Sequence, residues 1–279
     1  QQQYGFIGQT SDATVATLTA TGSKAGSTIN SSVTVSTLAS SHSLTGPTYS
    51  SPTATVGART LTINFGTWSA DPTAGGGQSF TSNGQDQIQV TASSSTTLVD
   101  LRDLINTTVT DSDNDGQKDV NASIIYDGTN YMLMLKSQSG ASYEMKVSDS
   151  NASPVYAYDA TDGAQLTQRV AGTDSAFTVD GISMTRSSNS VEDLFDGFTV
   201  QLKKTTSSAI KLTSEVDLEN VQSLLEGYVM TYNEVQQSLT AMSKNDETEN
   251  ENDGVLIGDS TLRHIQNELR DMSSTAIVG

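Results

Sequence analysis

The spacing of apolar residues changes near position 215. Before it, they recur at every second residue in short runs; after it, they recur every third or fourth residue over one long stretch. Residues 15–20 (VATLTA) and 32–38 (SVTVSTL) alternate apolar and polar, which predicts strands with one buried face. Residues 60–65, Ile88 with Val90, 120–126, 131–136 and the set Tyr143, Met145, Val147 repeat that pattern. Asp127-Gly128-Thr129-Asn130, between two of these runs, has hairpin chemistry. Residues 177–180 and 182–186 predict a tight hairpin through Asp180-Gly181. Residues 198–203 and 209–213 read as a second hairpin, with 191–195 as a helical or irregular crossover. One short helix interrupts the strands at 97–106, with Leu98, Leu101, Leu104 and Ile105 on one side. Residues 1–12 carry no period and read as a lead-in, and 22–30 as a turn-rich loop.

Beyond Asp217 the apolar residues are Leu218, Val221, Leu224, Leu225, Tyr228, Tyr232, Val235, Leu239 and Met242. Steps of three and four place them on one stripe of a helix of about seven turns. Ser214-Glu215-Val216-Asp217 offers a capping-box-like start. A second helix begins at Asp259 or Ser260, with Leu262, Ile265, Leu269 and Met272 as its stripe. Two such stripes cannot bury each other fully in water, so cover is expected from chain outside this sequence or from further copies. Between the helices, residues 245–253 (NDETENEND) hold no apolar side chain and read as a solvated acidic loop.

Together the runs predict an α+β chain, mainly β, in which strand, helix, hairpin and strand form a compact unit between 44 and about 170. Aromatics are only 6% of the residues, so each core is expected to be thin and the modules small. Trp68 reads as a local core or loop anchor, or else as an exposed contact residue. The net charge of −18, with 14 basic residues in no cluster, opposes nucleic-acid binding and adhesion to anionic membranes. There is no cysteine, which excludes disulfides and thiolate metal sites. No apolar run reaches the length that spans a bilayer. The opening Gln1-Gln2-Gln3-Tyr4 lacks a basic n-region and an apolar h-region and reads as the start of a fragment, so it says nothing about export.

Candidate chemistry is sparse. His42 and His264 are far apart, and His264 flanks the stripe of the last helix. No HExxH, no Gly-x-Ser-x-Gly and no Walker loop occurs. With 32 acidic residues, a glycosidase-like carboxylate pair can always be picked and nothing selects one. Asp111, Asp113 and Asp115, followed by Gly116, resemble the start of a calcium loop, with Asp119 at the ninth position. The twelfth position is Ala122 where a bidentate Glu is needed, so a polar turn competes with calcium binding there. No other cofactor is implied.

Three stretches in order carry a family resemblance. Residues 177–206 (FTVDGISMTRSSNSVEDLFDGFTVQLKKTT) look like the C-terminal part of the bacterial flagellar filament cap family, hook-associated protein 2. Tyr232-Asn233 resembles the family helix with its "AYN"-like motif, and residues 256–263 (LIGDSTLR) its "LLGDSTLR"-like start of the next helix. Upstream, residues 97–106 with the Asp127-Gly128 hairpin look like the "IN" motif of flagellins and hook-associated proteins. Residues 44–84 match nothing defensible.

The resemblance implies nested domains: a lead-in (1–12), an inner β domain (13–43 with 171–214), an outer β-rich head inserted in it (44–170) and a helical stem (215–279). It implies a ring-shaped homo-oligomer, secreted and seated at the distal filament tip, that retains exported flagellin and gives it a sheltered place to fold and insert. Leu218, Val221, Leu225, Tyr228, Tyr232, Val235, Leu239, Leu262, Ile265 and Leu269 then become stem-packing residues. Hook–filament junction proteins, an export chaperone and host mucin or glycans are possible further partners; nucleic acid, membrane insertion and catalysis are not expected. An adhesin-like module, a flagellin or junction protein, and a phage-tail or glycan hydrolase compete with this reading.

Overall fold

Period-two runs become strands and the period-3.6 run becomes helix in the computed structural model, which describes residues 5–21, 28–70, 78–109, 111, 118–159, 163–243 and 260–274. The chain divides into two compact units, one of residues 6–215 and one of 1–5 with 216–279.

The first unit opens with β1 (Phe6–Thr10), β2 (Ala16–Ala20) and β3 (Asn30–Thr37). The next elements are β4 (Ser41–Tyr49), β5 (Arg59–Trp68), β6 (Phe80–Ser82), β7 (Ile88–Ala92) and α1 (Leu98–Thr108). The hairpin strands β8 (Val120–Tyr126) and β9 (Tyr131–Ser139) come next, then β10 (Glu144–Asp149), β11 (Tyr158–Asp159), β12 (Gly163–Ala164) and β13 (Thr167–Val170). The chain returns through β14 (Ser175–Val179), β15 (Ile182–Arg186), β16 (Ser190–Phe195), β17 (Phe198–Leu202) and β18 (Ile210–Val216).

Two separate cores result. One sheet ordered β1-β18-β3-β14-β15 and another ordered β16-β17-β2 share a cluster that includes Val33, Val35, Phe177, Phe198, Val200 and Leu212. This is the inner lobe, assembled from both ends of the unit. The outer lobe is built from the middle: a sheet β12-β11-β10-β5, with β6 and β7 both on β5, and a sheet β13-β4-β9-β8. Its cluster takes Leu61, Ile63 and Phe65 from β5, Leu133 and Leu135 from β9, and Leu98, Leu101 and Ile105 from α1. Trp68 is an anchor of this core: its Nε1–H donates to the Met145 carbonyl at 3.0 Å and its ring packs on Phe80 and Tyr158.

Where the two chain crossings between the lobes meet, Ser40 and Thr173 exchange backbone hydrogen bonds at 2.9 and 3.1 Å, and Gly140 N–H adds a third to the Ser40 carbonyl. Asn189 donates to and accepts from the backbone of Ala39, both at 2.8 Å. Gly140 sits at φ +118°, where an L side chain is strained, and a Cβ there would meet Ser187 Cβ at 2.7 Å.

Several sequence expectations hold. Helix α1 starts at Thr97 with a reciprocal capping box to Asp100. Strands β8 and β9 pair from Val120–Ser137 to Tyr126–Tyr131, and β14 with β15 turn through Asp180 and Gly181, both at positive φ. Others are corrected. The lead-in contains β1, an edge strand laid on β18. Residues 190–195 are strand β16, not a helical or irregular crossover. Residues 198–203 and 209–213 do not form a hairpin: β17 pairs with β16 and β2, while β18 pairs with β3. Each alternates because each faces the same core from a different sheet. Ser214 serves the inner lobe by accepting from Ile29 N–H at 2.7 Å, and Asp217 alone caps the following helix through Asn220 N–H at 2.9 Å. Strand β4 runs across the expected boundary at 43/44.

Gly66 marks the tightest approach in the outer lobe, since a Cβ there would lie 2.0 Å from the Thr81 carbonyl oxygen. Gly66→Ala is expected to push β6 off β5 and destabilise the outer lobe by about 1–3 kcal/mol, seen in calorimetry as a lower melting transition with the inner-lobe transition unchanged. Hydrogen bonds from Thr14 to Asp12, from Thr97 to Asp100, and from Asn130 and Thr129 to Asp127 hold these carboxyls below the ordinary aspartate value. Their contribution is therefore complete above the unfolded pKa of about 4 and is lost as pH falls through the lower folded values. A melting temperature flat from about pH 5 to 7 and falling below about pH 4 is expected.

Candidate assembly surface

The second unit is made of α2 (Leu218–Ser243) and α3 (Ser260–Ser274), with Gly5 joined to it by a 2.8 Å hydrogen bond from Asp217 N–H to the Gly5 carbonyl. On α2, residues Leu218, Val221, Leu225, Tyr228, Tyr232, Val235 and Leu239 follow a strict alternation of three- and four-residue steps. That is the heptad spacing of a coiled-coil seam. Here it lies open. Leu218 is 72% exposed, Leu225 59% and Tyr228 52%, with Val235 exposed as well. Val221, Tyr232 and Leu239 are half-buried. The Tyr228 and Tyr232 rings stack at 6.3 Å, and Gln236 donates to the Tyr232 hydroxyl. Leu224, Val229 and Met230 widen the apolar face.

On α3, Ile265 is exposed and Leu269 half-buried, while the Leu262 side chain lies outside the described residues. His264 flanks the stripe one turn from Glu268, as its position in the sequence suggests. The acidic loop 245–253 and the N-cap at Asp259 also lie outside the described residues. A contiguous exposed apolar face of this kind marks a surface that can bury area against a partner.

The calcium reading gains no structure to support it. Asp111 is described, whereas Asp113 and Asp115 lie outside the described residues. Among the described residues no cluster of three or more His, Asp or Glu could hold a metal.

Buried polar groups of the outer lobe were not foreseen, and they are structural. Arg59 Nη1 donates to Asp149 Oδ2 at 2.8 Å, with side-chain exposures of 7% and 0%. The same carboxylate accepts from Val155 and Tyr156 N–H, and the guanidinium lies 5.2 Å from the Tyr156 ring. Burial and the hydrogen bond shared with Tyr49 push the Tyr156 hydroxyl far above the ordinary tyrosine range, so it stays neutral. His42 is buried beside Tyr158 and accepts from Met145 N–H at 2.9 Å through Nδ1. No periodicity separates these residues from surface charges, because their partners are up to 107 positions away.

Comparison with known proteins places this geometry. Residues 172–277 match the family described as flagellar hook-associated protein 2 C-terminus, a span that takes in β14–β18 and both helices. Among solved structures, the flagellar cap protein FliD D1-D2-D3 domains from Escherichia coli superpose with a TM-score of 0.73 at 24% identity, over 97% of this chain and 69% of that one. The D2-D3 domains of the cap protein from Serratia marcescens give 0.55 at 26% identity, over 71% of this chain and 99% of that one. The fold is that of the flagellar cap proteins. Flagellar hook-associated protein 2 of Xenorhabdus nematophila is 26% identical over 213 residues, covering 63% of this chain and 42% of the relative. Its counterpart in Salmonella typhimurium is 29% identical over 173 residues, covering 58% and 37%. The chain is similar to flagellar hook-associated protein 2, and its match spans less than half the length of those curated relatives.

Proposed function

We propose that the chain is the lobed and helical part of a cap at the distal end of the bacterial flagellar filament. The observation that carries this reading is the open heptad face of α2 inside the stretch that matches the cap family. In this reading the protein is secreted and acts by shape. The helices pack with those of neighbouring copies into a coiled-coil ring, and the lobes line the place where exported flagellin is retained, folds and inserts. Junction proteins and an export chaperone are its further partners. Acidity and the absence of cysteine suit a chain that is exported and then permanently exposed.

Leu225→Asp or Tyr228→Asp, placed in the full-length protein, is expected to abolish swimming in a complementation assay while the melting of the β unit stays unchanged. Normal filaments and normal swimming would contradict the assignment.

A second reading, an adhesin-like role for the outer lobe toward host glycan or mucin, has one observation in its favour. Tyr126, 54% exposed, packs against Tyr131 with ring centroids 4.6 Å apart and planes tilted by 31°, and an exposed aromatic pair suits sugar rings. Under this reading the whole chain gives signals on a glycan array that Tyr126→Ala removes; an array without signals ends it.

A further inference from the structure

The Ile105-Asn106 pair at the end of α1 is the centre of the "IN" resemblance, and the assembly surface leaves it without a role. Its two side chains go to different places. Ile105 is fully buried in the outer-lobe core beside Leu98 and Leu101. Asn106 turns to β8, where its Nδ2–H donates to the Ala122 carbonyl and its Oδ1 accepts from the Ala122 N–H, both at 2.8 Å.

Strand β8 is the end of its sheet, in the order β13-β4-β9-β8. In an antiparallel strand the N–H and C=O of one residue point to the same side. Both groups of Ala122 therefore point away from β9, toward the position a further strand would take. The primary amide of Asn106 reproduces, with one donor and one acceptor, the hydrogen-bonding edge of such a strand. Ala122 is only 3% exposed, so its backbone groups are poorly placed to be satisfied by water.

The pin is held from both ends of the helix. At the start, Leu98 and Val99 N–H donate to the carbonyls of Ala54 and Pro52 at 3.0 and 3.1 Å. At the end, Lys118 Nζ donates to the Asn106 carbonyl, and Val109 N–H closes on Ile105. Asn189 makes the same two-bond contact with the backbone of Ala39 at the junction of the lobes, so the device occurs twice in one unit.

We propose that Asn106 is an edge guard: it fastens α1 over the open side of β8 and thereby denies that edge to a strand of a second copy. The Ile keeps the helix in the core and the Asn occupies the outward backbone groups of Ala122, near the start of the strand. An exposed, unpaired edge is a template for intermolecular sheet growth.

The test is amide exchange and sedimentation on the whole chain, comparing the parent with Asn106→Leu and Asn106→Asp. Leu favours helix more than Asn does, so loosening of α1 in that variant cannot be ascribed to helix propensity. In the parent, the Ala122 amide is expected to exchange as slowly as that of Leu133 on the interior strand β9. In Asn106→Leu, Ala122 and the last turn of α1 are expected to exchange about tenfold faster or more, and the sedimentation profile at matched concentration shifts to larger species. Asn106→Asp keeps an acceptor for the Ala122 N–H but has no donor for its carbonyl, and is expected to fall between the two. Fast exchange of Ala122 in the parent overturns the pin, whichever variants fold. Parent-like exchange in Asn106→Leu overturns it too, and faster exchange with an unchanged sedimentation profile overturns the guard.

Discussion

Apolar residues close two cores in the β unit of this chain and lie open along α2 in the helical unit. Each β lobe closes a core of its own from alternating residues on two sheets. The helical unit cannot do so, because its heptad seam faces water along most of α2. An isolated helix of 26 residues gains little from propensity alone. Its stability must come from packing of its apolar face.

Within the lobes, buried polar groups join distant segments of the chain. Asp149 collects bonds from Arg59, Val155 and Tyr156 in the outer core. Breaking such a buried pair costs more than the pair contributes, since it strands a charge away from water. Asn189 and the Ser40–Thr173 exchange fix the two crossings between the lobes. These contacts tie the two crossings to each other and to the strands beside them.

What could be read from the sequence was what short-range physics decides. The capping box at Thr97, the 120–136 hairpin and the Asp180-Gly181 turn each depend on a few adjacent residues, and each is present. The stripe of three- and four-residue steps was equally plain, and it forms the helix α2. Pairing between distant strands was not. Residues 198–203 and 209–213 look like hairpin arms, yet one joins β2 and the other β3, because a sandwich sends consecutive strands to opposite sheets. Strand β1 escaped notice because Gly8 interrupts its alternation; a Cβ there would meet the Leu18 carbonyl oxygen at 2.2 Å, so packing requires the glycine that hides the pattern. Asn106 was visible only as part of a motif, since its partner Ala122 lies 16 residues on.

The central claim, that the α2 face is covered in the assembled state, is tested most directly by hydroxyl-radical footprinting of the full-length protein, free and on filaments. Burial on assembly predicts that Leu225, Tyr228 and Met230 lose most of their labelling on filaments, while exposed outer-lobe Tyr126 keeps its own. Equal labelling of those three residues in both states would contradict it.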